Sequence, residues 1–189
     1  MKKIIVSLFI VPLTACATLF GGNAPVRDNA DNTSALAIRI TADQMMPHIY
    51  FKYGDKILKT DRFGDYYVLF NAAPGEYELS YGDGMDEQHY FSDEMIKQSA
   101  TTVSKGEFRF MGSFTVKTIR EQNVYDRKYD TIMLPGYRHE VKHEFFFYGV
   151  PVIANDDTAR HEFVATMSRR LGSTEWGNLL HENYPDAVK

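Results

Sequence analysis

The sequence predicts a mainly β protein: an antiparallel β-sandwich of about seven to nine strands, closed by a C-terminal helical pair. Three observations carry this. Apolar residues alternate with period two at Leu36, Ile38 and Ile40, and again at Tyr77, Leu79 and Tyr81. The chain is rich in aromatics, with 12 Tyr and 13 Phe, residues that favour strands and bury large areas. After residue 154 the period changes to that of a helix.

Each element follows from local chemistry. Ala35–Thr41 reads as a half-buried strand, and Ile49-Tyr-Phe-Lys-Tyr-Gly-Asp as a strand running into a turn. Tyr66–Phe70 is continuously apolar, as a strand covered on both faces must be. Pro74-Gly75 suits a type II turn, because proline presets the first central residue and glycine accepts positive φ at the second. Tyr77–Tyr81 then alternates, and Gly82-Asp83-Gly84 closes the strand. Met85–Ser99 is polar and reads as an excursion between strands, and Arg120–Asp130 reads as a charged loop. Asn155-Asp-Asp-Thr offers N-cap chemistry; Ala159, Phe163, Met167 and Leu171 recur every four residues; Gly172 suits a left-handed stop. A second helix from Thr174 to about Asn183 brings Trp176, Leu179 and Leu180 to one side, with Trp176 as a packing anchor rather than a ligand-stacking ring.

The first fifteen residues form a separate unit. Lys2 and Lys3 precede an apolar run, Ile4–Leu13, followed by Thr14 and Ala15. This basic–apolar–small layout is that of a secretory signal, too short for a permanent membrane span. Leu13-Thr14-Ala15-Cys16 resembles the lipobox of bacterial lipoproteins. The resemblance implies cleavage before Cys16, diacylglycerol on its sulfur and a further acyl chain (palmitate-like) on the new amino terminus. Two or more chains suffice for stable anchoring, at about 0.8 kcal/mol per buried methylene. Ala17 stands where many such lipoproteins of two-membrane cells carry an inner-membrane-retaining aspartate. The resemblance therefore implies the outer membrane, facing the periplasm. Residues 16–34 then form the lipidated cysteine and a Gly/Pro/Asn-rich flexible tether, 35–153 the sandwich and 154–189 the helices.

Cleavage leaves enough chain for one domain with a real core. With both leader lysines gone, the formal charge moves from −4 to −6. No basic patch stands out, which argues against nucleic acid as a partner. Cys16 is the single cysteine, so the fold has neither a disulfide nor a thiol nucleophile. No cofactor is expected.

The apolar strand, the Pro-Gly-Glu-Tyr turn and the following alternation resemble the second half of prealbumin-like sandwiches, also seen in carboxypeptidase-regulatory-like domains. Lys105-Gly-Glu-Phe-Arg-Phe-Met-Gly-Ser-Phe-Thr-Val resembles their later strand pair. Several bacterial lipoproteins of unassigned function look like this, and the resemblance implies a non-enzymatic binding or scaffolding domain with an envelope protein as partner.

One catalytic pattern competes. His139-Glu140-Val141-Lys142-His143 matches His-Glu-x-x-His, in which two histidines on one helix face hold zinc and the glutamate polarises its water. Glu162, nineteen residues further, stands where gluzincin peptidases, which it resembles here, carry their third ligand. The motif needs a helix, which puts the histidines about 6 Å apart. On a strand they stand about 13 Å apart and cannot share an ion. Arg138, Glu140, Lys142 and Glu144 occupy one parity, and Tyr137, His139, Val141, His143, Phe145 and Phe147 the other. That alternation reads as strand, so metal ligation is not expected. A tethered zinc metallopeptidase using His139, Glu140, His143 and Glu162 stays the alternative, beside a periplasmic carrier of a small apolar or sugar ligand. No spacing joins His48, His89, His161 or His181 into a site, and Asp83, Asp86 and Glu87 lack the ligand ladder of a calcium loop. Phosphate loops, the Gly-x-Ser-x-Gly elbow and the dinucleotide fingerprint are all missing from the sequence.

Overall fold

The computed structural model describes residues 24–28, 33–42, 46–83, 88–116, 118–121, 145–148 and 152–187. Strand β1 (Ser34–Thr41) explains the layering. Its large residues Leu36, Ile38 and Ile40 enter one core, while Ala35 and Ala37 on the opposite face enter a second. Small residues on that second face leave room for helices to approach.

β1 pairs antiparallel with β5 (Tyr66–Ala72) and parallel with β9 (Phe108–Thr115). Outside them lie β4 (Asp61–Phe63) and β12 (Val152–Ala154), giving the order β12-β9-β1-β5-β4. The second sheet runs β10-β11-β7-β6-β2-β3, built from β2 (Ile49–Tyr53), β3 (Lys56–Lys59), β6 (Gly75–Asp83), β7 (Gln88–Phe91), β10 (Thr118–Glu121) and β11 (Phe145–Tyr148). A further strand, β8 (Thr101–Val103), also pairs with β6. Pairing is antiparallel except at β1–β9 and β11–β7. The fold is thus mainly β, in two sheets with C-terminal helices. It has more strands than expected, because 49–63 breaks into three at Gly54 and Thr60.

Between the sheets lie Leu36, Ile38, Phe51, Tyr77, Leu79 and Phe114, all buried. Outside the first sheet lies the helical layer. In α2 (Asp157–Leu171) the Asp156 carboxylate accepts from the Ala159 amide at 2.9 Å, and Gly172 stops the helix at φ 53°. Ala159, Phe163, Met167 and Leu171 are buried as their spacing requires. Helix α3 (Glu175–Asn183) is capped by Thr174. Gly177 lets α3 start hard against the end of α2, since a Cβ there would collide with the Gly172 carbonyl.

The helical layer also closes an edge. Strand β12 covers only the last part of β9. The amides of Phe108 and Phe110 instead donate to Asn183 Oδ1 (3.4 Å) and the Tyr184 hydroxyl (3.0 Å). An edge amide buried without a partner would cost about 1–3 kcal/mol, so these two side chains stand in for a strand.

Three expectations change. Gly75 has φ 148°, far more extended than the second central residue of a type II turn. Ala73-Pro74 is a corner carrying the chain from the first sheet to the second. Glycine is needed at 75 because a Cβ would lie 2.6 Å from the Tyr53 ring, which stacks on Tyr77 at 4.8 Å. The polar excursion contains β7 and a short helix, α1 (Asp93–Ser99), capped by Ser92 and buried through Met95. The pattern starting at Lys105 is one strand, β9; the strand before it, β8, belongs to the other sheet. Of the expected strand 137–148, residues 145–148 are strand and 137–144 lie outside the described residues.

Candidate binding face

The outer face of the second sheet is where alternation should place charge, and it carries tyrosines instead. Ile49 and Phe51 point inward, so Tyr50 points outward. A bulge beside Tyr50 sets it opposite Tyr81 on β6, and Tyr81 is opposite Tyr90 on β7. Tyr50, Tyr81 and Tyr90 thus form a row across three strands. The Tyr50 and Tyr81 rings stack with centroids 4.5 Å apart at 23°, and Tyr90 is 38% exposed.

The Tyr50 hydroxyl donates to Asp83 Oδ2 at 2.8 Å. That bond, then burial and the nearby carboxylate charge, pushes the phenol up to about 12. Beside the row, Lys52 Nζ meets Glu78 Oε1 at 2.9 Å, and Ile57, opposite Lys52 on β3, is 46% exposed. The face combines flat aromatic area, the fixed hydroxyl of Tyr50 and a charge pair.

A groove of about 680 Å³ adjoins it, lined by Lys52, Glu76, Glu78, Thr101, Thr102 and Arg109 among others. Its charges of both signs are partly committed: Lys52 to Glu78, and Arg109 to Glu107 at 3.2 Å. Among the described residues, the space between the sheets, where a carried ligand would sit, holds packed core side chains.

Of the sequence-predicted site residues, Cys16, His139, Glu140 and His143 are outside the described residues. Glu162 is on α2, bonded to Arg39 of β1 at 2.9 Å. Of the other histidines with described side chains, Nδ1 of His48 and of His161 faces the carbonyls of Thr60 and Asp157, and His181 Nε2 lies 2.8 Å from the Ser168 hydroxyl. Among the described residues no group of three His, Cys, Asp or Glu could hold a metal ion, and no helix is long and apolar enough to cross a membrane. Trp176 packs as expected, 1% exposed with its ring 5.0 Å from Phe70.

The expected tether is partly built into the fold. Ala24 packs against the helix-side core, and the Trp176 indole N–H donates to the Pro25 carbonyl at 2.7 Å. The tyrosine row escapes a reading of alternation, which reports only what a strand buries. Tyr50 stands on the parity that should be polar, but Tyr81 shares the parity of the buried Tyr77 and Leu79 and turns outward only through the bulge. Compared with models of known protein families, with curated proteins and with solved structures, the chain matches none.

Proposed function

We propose that the protein is an envelope lipoprotein, anchored through acyl chains on Cys16 at the outer membrane and facing the periplasm. It acts as a non-enzymatic binding or scaffolding module with a protein partner. The lipobox-like Leu13-Thr14-Ala15-Cys16 supports the address, and the turn-and-strand pattern resembling prealbumin-like sandwiches supports the module class. The observation that carries the function is the outward-facing row Tyr50–Tyr81–Tyr90 with the Lys52–Glu78 pair at its rim. Tyrosine is enriched in interface centres because it supplies large contact area and a hydroxyl at small entropic cost.

The test places a photo-crosslinking amino acid at Ile57 in the full-length chain in cells. A product of defined mass is expected, lost in Tyr81→Ala/Tyr90→Ala and in Cys16→Ser, and not formed from a probe at Glu162 on the helical side. Equal crosslinking from both positions, or none from either, would count against a binding face on the second sheet. Metal analysis of the purified chain beside His139→Ala/His143→Ala tests the zinc-peptidase alternative. Near-stoichiometric zinc, lost in the double variant, would overturn the strand reading of 137–144 and make peptidase assays the next step.

A further inference from the structure

Asn71 is the one non-glycine residue among those described with positive φ, at 54°. Asparagine tolerates this left-handed conformation better than most residues, though at some cost. Here it aims the side-chain amide at a passing segment of the same chain. Nδ2 donates to the Val26 carbonyl at 3.1 Å and Oδ1 accepts from the Asp28 amide at 3.1 Å, as a neighbouring strand would. Trp176 adds its indole N–H to the Pro25 carbonyl, and the Arg27 guanidinium carbon lies 5.4 Å from the Trp176 ring centroid. Pro25 has fewer conformations to lose on being held. Side chains from two distant parts of the fold thus converge on residues 24–28.

We infer that Asn71 and the first turn of α3 form a cradle for the chain's own segment 24–28, which holds the α3 end of the domain toward the lipid surface. This orientation rests on the lipid-anchor reading above. Chain length supports it. From Cys16 to Ala24 the backbone reaches at most about 29 Å fully extended. Undocked, the free chain would run to Ser34, with an extended reach of about 65 Å. A domain of this size is about 40 Å across. The longer leash exceeds that width and lets the domain present any side to the membrane. The shorter one, fixed at one end, does not. The row at Tyr81 lies six residues along β6 from its start at the Ala73-Pro74 corner, about 20 Å away. Docking would therefore set the binding face at a defined place relative to the bilayer.

Trp176 is the only tryptophan in the chain, so its emission and its energy transfer report on the cradle directly. The lipidated full-length protein is reconstituted in phosphatidylethanolamine/phosphatidylglycerol vesicles carrying a dansyl headgroup lipid. Two variants are compared. Asn71→Gly/Arg27→Ala releases the segment while keeping a residue suited to positive φ. A ten-residue Gly/Ser insertion after Gly22 lengthens the leash and leaves the cradle intact. The natural chain is expected to float with the vesicles and transfer energy to dansyl, and both variants to lose about half of that transfer. Only the release variant should shift Trp176 emission to the red. A chain that floats but transfers equally with and without the insertion overturns the orientation while the anchor stands. A chain that does not float overturns the anchor reading and the orientation with it. Trp176 emission unchanged in the release variant overturns the cradle itself.

Discussion

Replacing Phe163 by alanine removes the hub on which the helical layer meets the first sheet. The ring is fully buried, stacked on Phe110 at 4.3 Å and 5°, with Tyr66, Phe108 and Tyr184 at 5.6, 5.7 and 5.9 Å. A buried Phe→Ala change costs about 3–5 kcal/mol from lost burial and the cavity left behind. Alanine returns roughly 0.5 kcal/mol through its better helix propensity. The net is about 3.5 kcal/mol, a large share of the roughly 5–15 kcal/mol that holds a domain together. With a urea dependence of about 2 kcal/mol per molar, the unfolding midpoint should fall by about 2 M at constant slope. Circular dichroism follows the helices and Trp176 emission follows their seat on the sheet. The two transitions should coincide in the natural chain, because the layers share one core. A midpoint shift under about 0.5 M would refute the reasoning, since α2 would then not be packed as described.

Tyr184→Phe keeps the ring and deletes the hydroxyl that accepts from the Phe110 amide. It should cost about 1–3 kcal/mol, read as a smaller midpoint shift than Phe163→Ala, because the amide loses its partner and no cavity opens. Tyr50 should be among the late phenols in an ultraviolet titration, with Tyr77, ionising near 12 instead of the ordinary 10.0, and Asp83→Asn should bring Tyr50 alone back down. Because the folded-state value is the higher one, the proton is held more tightly in the fold. The stability it contributes is present below pH 10 and lost as pH rises from about 10 to 12. Thermal melts of natural chain and Asp83→Asn across that window check the sign.

The sequence makes legible those elements whose signals are local. Period two exposes β1 and β6, a continuous apolar run exposes β5, and caps at Asp156 and Thr174 with the stop at Gly172 bound both long helices nearly to the residue. Partners are not legible. Nothing in Ala35-Leu-Ala-Ile says that a parallel strand at 108–115 lies on one side, because pattern records which face is buried and not by whom. Helix α1, at seven residues, is too short to display a helical period, and its cap Ser92 is visible only once the helix is known. Segment 24–28 looks like linker because its own side chains are small, polar or exposed. It is held mainly through its backbone, by Asn71 and Trp176, which lie far along the chain. The tyrosine row is hidden for a related reason: Tyr50, Tyr81 and Tyr90 become one feature only through strand register.

The parallel pairing of β1 with β9 has a kinetic consequence. Already at its first residue, Ser34 donates to the Ser104 carbonyl across 70 residues of chain. The central strand of the first sheet thus waits for a partner made much later, and then for the helices that cover it. Loop closure over such a distance costs entropy before the contacts it brings together can offset it, which slows folding. If the chain crosses a membrane unfolded, as the lipoprotein proposal requires, a late-closing centre is useful. The amino-terminal half can stay threadable during passage, and the sheet can lock only after β9 and the last helices have emerged.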